Sequence, residues 1–180
     1  MPSLNPTLYT VAYPECGAQD LLAVDAWRAA HDAAGHALVR PHFTLVFACN
    51  AVDESTYMAH VAAVAARTVP IAFHCRYAML GADAHSPRAH ACLVPDEGYA
   101  ALSLLHDALY TGPLADQLRL DLPYTPHITV GTFESAPQAR QWCVERNHVG
   151  VSIPGRVGAL WVGQVTDGRF DHLGRFDLVG

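Results

Sequence analysis

One five-residue pattern occurs twice, and it constrains this chain more than any other feature. The first copy is Pro41-His42-Phe43-Thr44-Leu45, and the second is Pro126-His127-Ile128-Thr129-Val130. Each reads as a short apolar strand that starts at a proline and carries histidine and threonine two positions apart. Side chains alternate faces along a strand, so His42 and Thr44 share one face, as do His127 and Thr129. Phe43, Leu45, Ile128 and Val130 then point the other way, into a core. Each copy sets a proton-transfer group beside a hydroxyl on an apolar backing.

The repeat is not accidental. With 11 histidines in 180 residues, about 0.6 His-x-Thr pairs are expected by chance; requiring the proline and the apolar positions lowers this to ~0.01. The two copies lie half a chain apart. Around each, the order is the same: helix, motif strand, helix, antiparallel strands. This predicts an α+β fold of two pseudo-symmetric lobes, each an antiparallel sheet with outer helices, around a central cleft. No linker or composition shift divides the chain, so residues 1–180 are expected to form a single bilobal domain. Each lobe would contribute one motif.

The elements follow from hydrophobic period and punctuation. Strands are expected over 8–13, 42–48, 69–80, 90–94, 127–133, 149–153, 157–165 and 169–178. Helices are expected over 20–32, with Asp20 as N-cap and Gly35 as stop, over 54–67 behind Asp53, over 97–110, and over 136–146 behind Ser135. A short helix is expected over 114–120. Gly81 to Pro87 reads as a turn flanked by the surface histidines His85 and His90. Thr166-Asp167-Gly168 reads as a hairpin turn.

Composition excludes several classes. A net charge of −6 provides no basic stripe for long nucleic acid, though a small nucleotide or an RNA end remains compatible. All 11 basic residues are arginine and there is no lysine. Walker-A nucleotide binding, Schiff-base chemistry and a lysyl-nucleotide intermediate are therefore excluded. Five scattered cysteines without a CxxC pair read as reduced, mostly buried thiols. No apolar run approaches the ~20 residues of a membrane span. The first ten residues lack a basic-then-apolar signal, so a cytoplasmic location is expected.

The paired motifs, one per half of the chain, resemble the 2H phosphoesterase superfamily, and most nearly its bacterial 2′-5′ RNA ligase and 2′,3′-cyclic phosphodiesterase branch. The resemblance implies that His42 and His127 are the catalytic pair and that Thr44 and Thr129 hold phosphate. Gly131-Thr132-Phe133 stands where many members carry an arginine.

The implied reaction is the opening of a cyclic phosphate. It needs a base to activate water and an acid to protonate the leaving sugar oxygen, and histidine does either near neutral pH. The scheme uses no metal and no cofactor. Tyr124 and Arg40 are further candidate substrate contacts. The expected partner is a small cyclic-phosphate nucleotide or an RNA terminus, handled by a monomer, with no membrane involved. ADP-ribose 1″,2″-cyclic phosphate is another possible substrate. Two other classes stay open: a catalytically inactive binding module of the same fold, and a histidine-rich metallohydrolase.

Overall fold

The computed structural model describes residues 5–82 and 86–180. His85 and the middle of the turn expected at 81–87 lie outside the described residues. The first half of the chain runs β1 (Leu8–Ala12), β2 (Glu15–Cys16), α1 (Ala18–His31), α2 (Ala33–Leu38), β3 (Phe43–Cys49), α3 (Glu54–Ala65), β4 (Ile71–Ala82) and β5 (Ala89–Glu97). The second half runs α4 (Tyr99–Leu109), a 3-10 helix (Gly112–Gln117), β6 (Ile128–Phe133), α5 (Ala136–Val149), β7 (Ile153–Val157), β8 (Ala159–Thr166) and β9 (Arg169–Asp177).

The strands form two antiparallel sheets flanked by helices, as an α+β fold requires. One sheet has the order β3-β1-β8-β9, the other β2-β7-β4-β5-β6. The two motif strands, β3 and β6, each occupy an edge of a different sheet. The sheets are not the two halves of the sequence. The β4–β5 hairpin comes from the first half yet pairs with β6, while β8 and β9 from the second half extend the sheet of β1 and β3. The chain crosses between sheets repeatedly, which ties them together.

Local chemistry explains most element ends. Asp53 caps α3 by accepting from the Thr56 N–H at 2.9 Å and the Thr56 hydroxyl at 2.8 Å. Asp167 and Gly168 have φ of 50° and 73°, the left-handed pair that a tight hairpin between β8 and β9 needs. Two expected ends differ. α1 starts two residues before Asp20, whose carboxylate lies in the first turn near the positive end of the helix rather than at the cap. The helix breaks at Asp32, where φ is −147° and ψ is 53°, and not at Gly35, which sits inside α2. A Cβ at Gly35 would run into the Asp32 carboxylate, so glycine lets this corner close.

The apolar backs of both motifs are core. Phe43 and Leu45 are 0% exposed, Ile128 1% and Val130 0%. Burial of each stabilises the fold by about 1.5–3 kcal/mol. Phe43 meets Phe73 of β4 edge-to-face, with centroids 5.1 Å apart, which locks the first motif strand onto the second sheet.

α3 covers the outer face of the first sheet. There the Tyr57 hydroxyl hydrogen-bonds the Thr10 hydroxyl at 2.8 Å, with both residues fully buried. Tyr57→Phe would strand the Thr10 hydroxyl in an apolar layer. It is expected to destabilise the fold by about 1–3 kcal/mol, read as a lower urea midpoint at an unchanged slope.

Candidate active site

His42 and His127 lie one residue ahead of their strands, and the face alternation holds through both motifs. His42, Thr44, His127 and Thr129 are half-buried, while the residues between and after them are buried. The two histidines are anchored in the same way. His42 Nδ1 lies 2.8 Å from the Arg40 carbonyl, and His127 Nδ1 lies 2.7 Å from the Thr125 carbonyl. A carbonyl only accepts, so each Nδ1 carries the proton and donates it. Each neutral ring therefore presents Nε2 as an acceptor, without a hydrogen-bond partner among the described residues. The intervening prolines, Pro41 and Pro126, restrict the backbone that positions those carbonyls.

Electrostatics keep both rings neutral. Burial pushes His42 down to about 4; the Arg40 carbonyl opposes this, and the charges of Arg28 and His127 add to it. Burial also lowers His127, opposed by its bond to Thr125 and reinforced by His90. The charge of His127 is among the influences that lower His42, which couples the two motifs electrostatically.

A direct tie joins them. The Tyr124 hydroxyl, just ahead of the second motif, donates to the Thr44 carbonyl at 3.0 Å. The Tyr110 hydroxyl accepts from the Phe47 N–H at 3.1 Å. Both bonds satisfy backbone groups on the open edge of β3. One face of the Tyr124 ring is stacked on His106, with centroids 3.7 Å apart and planes 10° apart. Burial raises the pKa of its hydroxyl far above the ordinary tyrosine value. The Arg40 guanidinium lies over the Tyr13 ring at 3.8 Å, while its backbone carbonyl holds His42.

A second cluster adjoins the motifs. The Thr132 hydroxyl donates to Asp32 at 3.0 Å, and His90 Nδ1 lies 3.1 Å from the same hydroxyl oxygen. The hydroxyl has one proton and gives it to Asp32, so His90 Nδ1–H must be the donor in the other bond. His90 thus adopts the same tautomer as the motif histidines. Arg28 lies 3.9 Å from Asp32 and donates to the Val39 and Gly35 carbonyls, each at 2.7 Å.

Strand register explains how these residues meet. β5 and β6 pair Cys92 with Thr129 and His90 with Thr132. A register shift leaves Val130 unpaired, and this bulge puts Thr129 and Thr132 on one face although they are three residues apart. Cys92 is no nucleophile there: burial pushes its thiol up to about 12, against a Thr129 hydrogen bond that lowers it.

Sequence reasoning missed Arg28, Asp32 and Thr132, and it assigned His90 to the surface although it is half-buried. The one local signal was the His90-x-Cys92 alternation. The bulge left no mark that could be read beforehand.

An open groove of about 570 Å³, lined by His31, Phe133 and Trp142 among others, reaches Thr132 from outside and does not cover the histidine pair. Among the described residues, no three His, Cys, Asp or Glu are grouped to hold a metal ion. Among them too, no helix is long and apolar enough to cross a membrane.

A model of the 2′-5′ RNA ligase superfamily matches residues 14–168. The chain belongs to the 2′-5′ RNA ligase superfamily. Membership makes it an enzyme of the phosphoesterase and RNA ligase type. Solved structures share the superfamily fold over nearly the whole chain. E. coli LigT complexed with NADP+ is 21% identical, with 97% of this chain and 99% of that one covered at a TM-score of 0.57. TT0787 of Thermus thermophilus is 15% identical, with 97% and 98% covered at 0.64. Kluyveromyces marxianus Usb1 is 13% identical, with 96% and 99% covered at 0.52. At these identities the likeness establishes the fold. No curated protein matches the chain. LigT has also been solved with 3′-AMP, with phosphate and with ATP.

Proposed function

We propose that this chain hydrolyses 2′,3′-cyclic phosphates of nucleotides or RNA ends, using His42 and His127 as acid and base and no metal. The observation that carries this reading is the matched anchoring of the two rings. Each donates Nδ1–H to the carbonyl two residues back and presents Nε2 as an acceptor. One ring removes a proton from water as the water oxygen bonds to phosphorus. The other, protonated, gives its proton to the sugar oxygen as that P–O bond breaks. Thr44 and Thr129, beside the rings on the same faces, donate to the non-bridging oxygens as charge builds there. RNA joining is the same ring opening with a sugar hydroxyl in place of water: one ring takes the hydroxyl proton as its oxygen bonds to phosphorus, and the other protonates the departing sugar oxygen. LigT structures hold small nucleotides and phosphate, which accords with a small phosphate-bearing substrate.

The pH dependence follows from the direction of the pKa shifts. Turnover needs one ring protonated and one neutral. In the free enzyme both rings titrate below the usual histidine value, His42 near 4. The singly protonated form therefore peaks in acid, and kcat/KM is expected to fall as pH rises toward neutrality. A bound phosphodiester brings a negative charge beside both rings and raises their pKa values, so the falling limb of kcat should lie at higher pH than that of kcat/KM. Both are measured on a 2′,3′-cyclic mononucleotide in the presence of EDTA. Activity that vanishes with EDTA, or a profile flat from about pH 4 to 9, would overturn the proposal.

A further inference from the structure

The two faces of the four-stranded sheet differ sharply. Its outer face is closed by α3 through the Tyr57–Thr10 bond and through Met58, which packs where a side chain at Gly174 would stand. The inner face is the one that carries Thr44. A single row of cross-strand partners runs across it: Thr44 with Val11, Val11 with Trp161, Trp161 with Arg175. Directly paired residues share a face, so the proposed phosphate-binding threonine and Trp161 look into the same space.

That face is aromatic and cationic. Trp161 and Phe170 are half-buried and His172 is exposed. His172 meets Trp161 at 4.9 Å and Phe170 at 5.4 Å between centroids, and its Nε2 hydrogen-bonds the Tyr13 hydroxyl at 2.8 Å. Gly163, the partner of His172 across β8 and β9, is required here because a Cβ would enter the Phe170 ring. The exposed Arg40 lies over Tyr13 at 3.8 Å and 5.8 Å from Trp161. It makes no ion pair among the described residues. Arg175 lies 5.6 Å from the Trp161 ring and is paired with Asp177 at 2.7 Å. Val11 is buried beneath these larger side chains, and half-buried rings with exposed arginines beside the strand of the proposed phosphate-binding threonine suit unpaired bases, every one of which has a π-face to stack.

We propose that the inner face of this sheet is a stacking platform for the bases of a short single-stranded RNA whose terminus lies at the histidine pair. Only the placement of that terminus rests on the function proposed above. Three strand spacings of ~4.8 Å separate Thr44 from Arg175, about 14 Å, which matches about four stacked nucleotides at ~3.4 Å each. The acidic balance of the chain, with Arg40 unpaired and Arg175 paired among the described residues, makes this recognition depend on stacking rather than on backbone charge.

Binding of a five-nucleotide single-stranded RNA with a terminal phosphate, followed by fluorescence anisotropy on the full chain, tests this without requiring turnover. The pentamer should bind at least tenfold more tightly than the corresponding mononucleotide. Phe170→Ala and Trp161→Ala should each weaken it by about tenfold, the loss of one base stack. The log–log salt slope should lie between about −0.7 and −1.4, for one or two phosphates contacted. Thermal melts check that each variant is folded; should Trp161→Ala unfold, Phe170→Ala and Tyr9→Ala decide the result, Tyr9 being the partner of Gly163 with its ring edge-on to Phe170 at 6.3 Å. The platform is refuted if the wild type does not bind the pentamer, if the folded variants bind it as the wild type does, or if duplex RNA of equal length competes equally. Ring-dependent binding without cyclic-phosphate hydrolysis would overturn the proposed function and leave the platform standing. Hydrolysis with ring-independent binding would do the reverse.

Discussion

Replacing His42 or His127 by alanine is expected to lower turnover of a 2′,3′-cyclic nucleotide by about 10²–10⁴-fold, the usual contribution of a positioned acid or base. The effect should fall on kcat, because the rings transfer protons in the transition state and do little to hold the ground state. The double variant should be scarcely worse than either single one, since the two rings act as a unit in one proton-transfer scheme. The fold should tolerate each change. Both rings are half-buried, and each loses a single hydrogen bond, to the Arg40 or the Thr125 carbonyl. A variant that folds and keeps more than a tenth of wild-type kcat would remove that histidine from the mechanism.

The largest effect on stability is expected at Arg28. Its side chain is 3% exposed, donates to the Val39 and Gly35 carbonyls and lies 3.9 Å from Asp32, whose side chain is only 12% exposed. Arg28→Ala would leave two carbonyls short of charged donors and a mostly buried carboxylate without its cation. Breaking one side of such an arrangement costs about 3–5 kcal/mol, which urea unfolding would register directly. Among the described residues Arg28 Nε finds no hydrogen-bond partner, so the wild-type arrangement already carries a cost.

The consequence reaches the site. Arg28 pins the segment that leads into Arg40, whose carbonyl holds His42. Its charge also helps to depress the pKa of His42. Kinetics well below the melting temperature should therefore show a lower kcat and an acid limb of kcat/KM moved toward higher pH. Unfolding free energy within about 1 kcal/mol of wild type would show that the buried guanidinium is not the anchor described.

Much of this was legible before the strands were paired. A period-two pattern marks β3 and β6, and half-exposed His and Thr alternating with buried Phe, Leu, Ile and Val is the outcome that pattern requires. Asp53 and the Asp167-Gly168 turn did what their side chains and backbone freedom dictate. Two helix signals misled. Asp20 sits within the first turn of α1 rather than at its cap, and Gly35 lies inside α2 because Asp32 leaves helical geometry and the chain restarts after it.

What the amino-acid sequence determined by itself was local: which residues alternate, which ring stands beside which hydroxyl, and which chemistries the absence of lysine forbids. These depend on neighbours a few positions apart. The tertiary structure alone decided that β4 and β5 join β6 while β8 and β9 join β1. It also decided that a bulge at Val130 turns Thr132 toward His90, and that Tyr124 reaches the Thr44 carbonyl eighty residues away. Strand partners are chosen by how whole faces pack and how edges are satisfied. Those contacts join residues whose spacing along the chain carries no trace of the match.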